Sequence, residues 1–282
     1  MPGTLYVVAT PIGNLEDVTL RALRILREVA LIAAEDTRRT ARLLQHYSIP
    51  TPTTSLHEHN EYARTPGLIA RLSAGESIAL VSDAGTPGIS DPGARLVAAA
   101  HAAGVRVEPV PGPSAVAAML SASGLADEGF VFVGFAPSRA KARRDWLTDL
   151  GSEKRPIVLF EAPHRIRQLL QDVHDILGDR LVAIGRELTK AHESLGIRQI
   201  SAWLSSPPPE RGEFVVVVNS PKITPPLSAA PPSDTEVAVE FGRLTDNGSL
   251  GRREAIRQIA TKRGLSTKEV FSALDRAKKS GE

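Results

Sequence analysis

Small residues that can bring the backbone close to a ligand are concentrated in the stretch 79–93, Ala-Leu-Val-Ser-Asp-Ala-Gly-Thr-Pro-Gly-Ile-Ser-Asp-Pro-Gly. The stretch begins as an apolar strand and runs into a predicted helix over 94–101. A loop at the carboxyl end of a strand is where an open α/β sheet binds its ligand. Glycine allows close approach, and a helix N-terminus offers free N–H donors. The alternative is a structural turn in which Asp91 caps the helix.

Comparable loops follow two other predicted strands. Thr-Pro-Ile-Gly-Asn (10–14) ends a strand that begins at Leu5, and Pro-Gly-Pro-Ser-Ala (111–115) follows a strand over 105–110. Strands and helices alternate along this part of the chain, which predicts a parallel sheet. The three loops therefore meet at one edge of that sheet, and a shared ligand site becomes the better interpretation.

The alternation pauses near 124–128 and then restarts, with strands predicted at 130–135, 157–160, 181–185 and 214–218. We therefore predict two consecutive α/β domains, 1–124 and 125–219. Residues 220–233 contain five prolines and no aromatic residue, which is typical of a semi-rigid linker. The remainder, 234–282, fits a helix, a turn at Gly264 and a helix capped by Ser266 or Thr267. That spacing favours a nucleic-acid-binding helix-turn-helix, and the alternative is a protein-binding helical hairpin.

Composition limits the class of protein. The chain has 282 residues, of which 42% are hydrophobic, 23% are charged and none is cysteine. No apolar run approaches the roughly 18 residues that a membrane-spanning helix needs. Residues 1–8 enter a strand at once and show no signal peptide. These features predict a cytoplasmic protein without disulfides or membrane contacts.

Positive charge is local rather than general, since the formal net charge is only +2. One cluster follows the second strand, one begins the first helix of the second domain, and one lies in the C-terminal segment. Such patches are typical of contacts to a polyanion, although each could simply be a solvated helix face. The predicted phosphate contacts are Arg38, Arg39, Arg139, Arg143, Arg144, Arg252 and Arg253.

Seven motifs occur in order along the chain. They are Thr10-Pro-Ile-Gly-Asn14, Ala34-Glu-Asp-Thr-Arg38, Val81-Ser-Asp-Ala-Gly-Thr-Pro87, Pro111-Gly-Pro-Ser114, Glu161-Ala-Pro-His-Arg165, Arg186-Glu-Leu-Thr-Lys190 and Gly212-Glu-Phe214. Together they closely resemble the ribosomal small-subunit RNA methyltransferase I group, within the tetrapyrrole methylase-like superfamily. The resemblance runs from about Thr4 to Asn219, and the basic helical tail also looks like that group's C-terminal segment.

The resemblance implies a class III methyltransferase fold whose cleft binds S-adenosylmethionine in a folded conformation. It also implies methyl transfer to the ribose 2′-oxygen of a cytidine in the decoding region of 16S rRNA, as free rRNA or in the 30S subunit. A homodimer is expected, and the family is not known for a metal requirement. His57 and His59 have no evident third ligand, so no metal site is predicted. The expected cofactor contacts are Pro11, Ile12, Asp83, Gly85, Thr86, Ile89, Ser114 and Ala115.

A ribose hydroxyl becomes a good nucleophile when a base accepts its proton. Glu187 directly follows a predicted strand and is the first choice for that base, with Lys190 polarising the hydroxyl or holding a phosphate. Asp36 is the second choice. The alternative is a structural ion pair between Arg186 and Glu187.

One departure from the wider superfamily concerns Thr86. Tetrapyrrole methylases carry Gly-Asp-Pro where this chain has Gly85-Thr86-Pro87. Two competing functions stay open at this point. One is C-methylation of a tetrapyrrole or corrin on the same scaffold, and the other is RNA binding without catalysis.

Overall fold

The computed structural model describes residues 2–125, 129–219, 233–246, 250–263 and 266–279. They form two compact units, 1–220 and 221–282. The predicted linker 220–233 lies outside the described residues except for Ser233. The bounds of the domains within the first unit stay a prediction.

The first sheet of the larger unit has five parallel strands in the order β3-β2-β4-β1-β5. Its strands are β1 (Thr4–Val8), β2 (Leu31–Ala34), β3 (Thr53–Ser55), β4 (Ile78–Val81) and β5 (Arg106–Val110). Its helices are α1 (Leu20–Glu28), α2 (Thr37–His46), α3 (Glu61–Ser73) and α4 (Ala94–Ala102). Alternate residues of β4 pack on opposite faces, with Ala79 and Val81 against α1 and α2 and with Ile78 and Leu80 against α3 and α4. The predicted parallel α/β sheet is confirmed.

The second sheet has the order β6-β7-β10-β8-β9. Its strands are β6 (Val131–Phe135), β7 (Ile157–Glu161), β8 (Leu181–Arg186), β9 (Ser194–Gln199) and β10 (Phe214–Val218). Only β6 and β7 pair in parallel, whereas β10 is antiparallel to both neighbours and β9 is antiparallel to β8. The two-sheet α/β fold class is therefore confirmed.

One helix of the first half packs on the second sheet. Helix α5 (Ala115–Ser123) places Val116 and Met119 in a buried cluster with Val158 and Val217. The close approach requires glycine on β8, since a Cβ at Gly185 would lie 2.7 Å from the sulfur of Met119. The other face of this sheet is covered by α6 (Ala140–Asp149), α7 (Ile166–Leu177) and α8 (Ile200–Ser205). Helix α5 thus joins the two halves of the larger unit.

In its described residues, the smaller unit has three helices around one apolar cluster. They are α9 (Asp234–Asp246), α10 (Arg252–Arg263) and α11 (Thr267–Lys279). Ser266 caps α11 as predicted: its hydroxyl accepts from the N–H of Glu269, and the Glu269 carboxylate accepts from the N–H of Ser266. The predicted turn residue Gly264 lies outside the described residues. Within the described segments, no helix is long and apolar enough to cross a membrane.

The prediction that Arg143 contacts RNA is wrong. Its side chain is only 4% exposed, and its guanidinium lies 2.7 Å from the equally buried carboxylate of Asp172 on α7. Arg144, one residue further along α6, shares that carboxylate at 3.0 Å but is half exposed. The helical period turns one arginine of the pair inward and leaves the other at the surface.

We predict that Arg143→Ala destabilises the protein by about 3–5 kcal/mol, because it leaves the Asp172 carboxylate buried with less compensation. Chemical denaturation measures this change. Arg144→Ala is the matched control and should cost much less, since its guanidinium reaches solvent. Equal and small effects of both substitutions would contradict a structural role for Arg143.

Candidate functional site

The three small-residue loops at the edge of the first sheet are bonded to one another. The main chains of Thr10 and Gly85 exchange two hydrogen bonds, of 2.8 and 3.0 Å. The Thr10 hydroxyl donates to the carbonyl of Ser82 at 3.2 Å, and the Thr86 hydroxyl donates to the carbonyl of Pro113 at 3.3 Å. The loops after β1, β4 and β5 therefore form one connected surface.

A cavity of about 380 Å³ lies against this surface, between the first and second sheets. This volume is in the range of small-molecule sites. The predicted cofactor contacts that line it are Ile12, Gly85, Thr86, Ile89, Ser114 and Ala115. Pro11 and Asp83 are not among its lining residues. The second half contributes a mostly apolar wall of Phe135, Phe160, Glu161, Ala162, Pro163, Leu188, Lys190, Glu213, Phe214 and Val215.

Gly85 is required where the loops meet. Its φ of +79° lies in the left-handed region that side chains disfavour, and a Cβ would lie 3.4 Å from the Ile12 side chain. Both Gly85 and Ile12 line the cavity. A ligand can therefore approach the backbone closely at this position.

Helix α4, which follows the loop after β4, does not offer the free N–H donors that the sequence suggested. The carboxylate oxygen Oε1 of Glu61, on α3, accepts from the N–H groups of Gly93, Arg95 and Leu96 at 3.0–3.2 Å. Glu61 therefore satisfies the N-terminus of α4. The loop, rather than the helix end, provides the ligand-binding surface.

Asp91, which the sequence suggested only as a possible helix cap, lines the cavity and lies near two further carboxylates, those of Glu35 and Asp83. Burial raises the pKa of Asp91 to about 6, and the charges of Glu35 and Asp83 add to this rise against a hydrogen bond from Ser82. Burial also raises the pKa of Glu35, whose carboxylate accepts from the N–H of Asp83 at 3.1 Å. Asp91 can therefore bind and release a proton closer to neutral pH than an ordinary aspartate can.

Glu187, the first choice for the base, is held by a network of its own. It adopts a φ of +52°, and its Oε1 accepts from Lys190 Nζ at 3.0 Å and from the N–H of Glu213 at 2.9 Å. Burial alone would raise its pKa, but these hydrogen bonds and the charges of Lys190 and Arg186 lower it. A carboxylate with a lowered pKa, one of whose oxygens accepts two hydrogen bonds, is a weak proton acceptor.

Lys190 lines the cavity and is the cationic side chain among the residues that line its second wall, beside the carboxylates of Glu161 and Glu213. Burial alone would lower its pKa, but hydrogen bonds to Glu187 and Glu213 and the charges of both carboxylates raise it. The ammonium therefore stays protonated at neutral pH. It can bind or polarise an oxygen atom, but it cannot accept a proton.

Asp36, the second choice for the base, does not line the cavity. Its carboxylate accepts from the side chain of Arg38 and from the N–H of the same residue, as the cap of α2. The side-chain and backbone hydrogen bonds from Arg38 lower the pKa of Asp36 to about 2. Arg39 lies 3.4 Å from Asp83. These contacts indicate a structural role for Asp36. The side chains of Arg38 and Arg39 are exposed, and their role in RNA binding stays a prediction.

The remaining predicted phosphate contacts are exposed. Arg139 precedes α6 and Arg144 lies on that helix, in the larger unit. Arg252 and Arg253 begin α10 in the smaller unit, where the Arg252 guanidinium lies 5.9 Å from the ring centre of Phe271. Their role in RNA binding stays a prediction. No group of His, Asp or Glu side chains among the described residues is arranged to hold a metal ion.

Known structures share this architecture. The uroporphyrin-III C-methyltransferase of Thermus thermophilus aligns with a TM-score of 0.55 at 20% identity, covering 77% of this chain and 94% of that one. Diphthine synthase aligns with a TM-score of 0.61 at 15% identity, covering 77% and 90%. The fold is that of the class III methyltransferases.

Sequence relatives identify the family within the class III methyltransferases. Residues 4–204 match the family described as Tetrapyrrole (Corrin/Porphyrin) Methylases. Proteins named Ribosomal RNA small subunit methyltransferase I are similar to this chain: that of Pseudomonas aeruginosa is 51% identical over 77% of the chain and 78% of its own length, and that of Synechocystis sp. is 46% identical over 95% and 96%. The chain belongs to the tetrapyrrole methylase family and, within it, to the ribosomal RNA small subunit methyltransferase I family.

We predict that Gly212→Ala displaces the Glu187–Lys190 pair and lowers turnover. Gly212 has a φ of +84°, and a Cβ would lie 2.5 Å from the Glu187 side chain. Left-handed backbone costs an alanine about 1–2 kcal/mol, so stability should also fall. Steady-state kinetics and thermal unfolding measure the two effects.

Gly104→Ala is the matched control, because Gly104 has a φ of +68° and open space at its Cβ position. It should reproduce the loss of stability without the loss of turnover. If both variants lose the same activity, backbone strain rather than displacement of Glu187 is responsible.

Proposed function

We propose that this protein transfers the methyl group of S-adenosylmethionine to the ribose 2′-oxygen of a cytidine in 16S rRNA. The observation that carries the proposal is the 46% identity to a Ribosomal RNA small subunit methyltransferase I over 95% of the chain. The seven motifs, six of which lie at the carboxyl ends of strands, support the same activity.

The cavity fits the proposed methyl donor. Ile12, Gly85, Ile89 and Ala115 provide apolar and close-packed contacts, and Thr86 and Ser114 provide hydroxyl groups. S-adenosylmethionine supplies an electrophilic methyl group on a sulfonium. We propose that these loops hold it so that the acceptor oxygen approaches in line with the carbon–sulfur bond, since alignment can supply much of the rate.

Lys190 is proposed to bind an oxygen of the acceptor nucleotide, either a phosphate oxygen or the ribose hydroxyl. Glu187 is proposed as the positioning residue that fixes the Lys190 ammonium, with Glu213 as its second partner at 3.0 Å. This assignment replaces the idea that Glu187 itself accepts the proton.

The exposed arginines of both units are proposed to bind RNA phosphates, which position RNA without reading its sequence. Small-subunit rRNA or the 30S subunit is the proposed partner. A homodimer and a cytoplasmic location stay predictions.

The test is transfer of labelled methyl from S-adenosylmethionine to 30S subunits or to 16S rRNA. We expect label on one cytidine ribose, located by nuclease digestion and mass spectrometry. A uroporphyrinogen-type acceptor serves as the second arm. Label on that acceptor and none on RNA would overturn the proposal, and cofactor binding without any transfer would indicate a binding protein.

A second prediction concerns the smaller unit. Arg252→Glu/Arg253→Glu should weaken binding of 16S rRNA and flatten the dependence of log Kd on log salt, because each lost phosphate contact reduces counterion release by about one ion. Filter binding at several salt concentrations measures this.

Arg24→Glu is the control for charge reversal itself, at one position instead of two. Arg24 lies on the surface of the larger unit and pairs with Glu28. It should leave the salt slope near that of the wild type. Calorimetry should show unchanged S-adenosylmethionine affinity for all variants. An unchanged slope in the double variant would remove these arginines from the RNA interface.

A further inference from the structure

One exposed aromatic ring lines the cavity and has no role in the site described so far. The chain is poor in aromatic residues, at 4%, yet Phe135 is 56% exposed and lines the cavity. It ends β6, so it belongs to the second sheet and not to the three loops proposed to bind the methyl donor. The ring is therefore available to a ligand inside the cavity.

The ring is supported from inside the protein. Its centre lies 5.5 Å from that of Phe160, which in turn lies 5.1 Å from that of Phe132. Phe160 is partly buried and also lines the cavity. Phe135 is therefore the outermost member of a packed aromatic row, and more than half of its surface remains accessible to a ligand.

The end of β6 also meets the loop that carries Asp91. The Ser90 hydroxyl lies 3.2 Å from the position of a Cβ at Gly134, which has a φ of +68°. Ser90 itself adopts a φ of +62°. This turn brings the Asp91 segment to the base of Phe135, and both side chains face the same cavity.

We propose that Phe135 and Asp91 form the acceptor subsite, in which an unpaired nucleobase stacks on the Phe135 ring and the Asp91 carboxylate accepts the proton of that nucleotide's 2′-hydroxyl. The proposal rests on the proposed function and deepens it. RNA-binding proteins commonly hold an unstacked base on an aromatic side chain.

The reaction balances with these groups alone and the methyl donor. The 2′-oxygen forms a bond to the methyl carbon while the carbon–sulfur bond breaks and its electron pair stays on sulfur. The hydroxyl proton moves to Asp91, which later releases it to water. The positive charge of the sulfonium is lost when the thioether forms, and the released proton carries the equal charge away.

Charged groups around Asp91 favour this role. Glu35 and Asp83, at the ends of β2 and β4, lie close enough for their charges to raise the pKa of Asp91 further, and Ser82 lowers it. Arg39 reaches Asp83, and Lys190 and Glu213 line the opposite wall of the cavity, with Glu161 nearby but paired to Arg165. Asp91 thus combines cavity access with a pKa raised to about 6, whereas Glu187 and Asp36 have lowered ones.

The first test replaces the ring. Phe135→Ala should lower kcat/KM for 30S subunits by about 5- to 150-fold, the loss expected for one base–aromatic stack. Phe135→Trp should retain most of the activity. Phe130→Ala is the matched control, because Phe130 is 43% exposed but does not line the cavity.

Calorimetry separates the acceptor from the methyl donor. S-adenosylmethionine affinity should be unchanged in Phe135→Ala. If that affinity falls as much as kcat/KM does, the ring stacks on the donor's adenine and the proposal fails. Activity equal to that of Phe130→Ala also overturns it, whereas a wild-type protein without transfer to RNA would overturn the proposed function instead.

The second test removes the carboxylate. Asp91→Asn should lower kcat by about 10²–10⁴-fold, the usual loss of a general base. In the wild type, kcat should fall as pH drops through about 6, because the base becomes protonated, and this limb should disappear from the residual activity of the variant. Asp145→Asn, on the exposed face of α6, is the control.

A stability readout separates catalysis from folding. The pKa of Asp91 is raised from 3.8, so its ionised form opposes folding above pH 6 and its removal should not lower the melting temperature at pH 8. Lost turnover with an unchanged or raised melting temperature supports the proposal. Wild-type-like kcat, or a pH limb that persists in Asp91→Asn, overturns it.

Discussion

Two main-chain hydrogen bonds between Thr10 and Gly85 are the constraint on which the site depends. They join the loops that follow two neighbouring parallel strands, and the Thr86 hydroxyl extends the connection to Pro113 in the third loop. Gly85 can take part only because its left-handed backbone carries no side chain. The rigid sheet fixes where the strands end, and these bonds turn three flexible connections into one surface.

The second wall of the cavity depends on helix α5. This helix follows the third loop and packs Met119 against Gly185 of the second sheet. The same buried contact thus sets the distance between the loops and the wall that carries Phe135, Phe160 and Lys190. The cavity is lined by residues from both halves of the larger unit, so neither sheet would form it alone.

The two walls hold their charged groups in different environments. Carboxylates that raise one another's pKa surround Asp91, whereas Lys190 is kept charged by Glu187 and Glu213. The two environments separate proton acceptance from charge stabilisation, as expected for a site that moves a proton near neutral pH. The left-handed backbone at Glu187 and Thr189 also concentrates local strain at this wall.

The resemblance of seven ordered motifs indicated the family. Local sequence determined the loops and most strand and helix bounds, because strand periodicity and glycine or proline positions are properties of short segments. It predicted Gly85, Thr86, Ser114 and Lys190 at the cavity for the same reason. Tertiary structure decided what distant residues do to one another. Arg143 is buried against Asp172, and the Glu61 carboxylate accepts from the N–H groups at the start of α4. Lys190 and the N–H of Glu213 donate to the carboxylate of Glu187. Burial and pairing depend on residues far apart in the chain, so a pattern of residue types cannot reveal which carboxylate keeps its oxygens free.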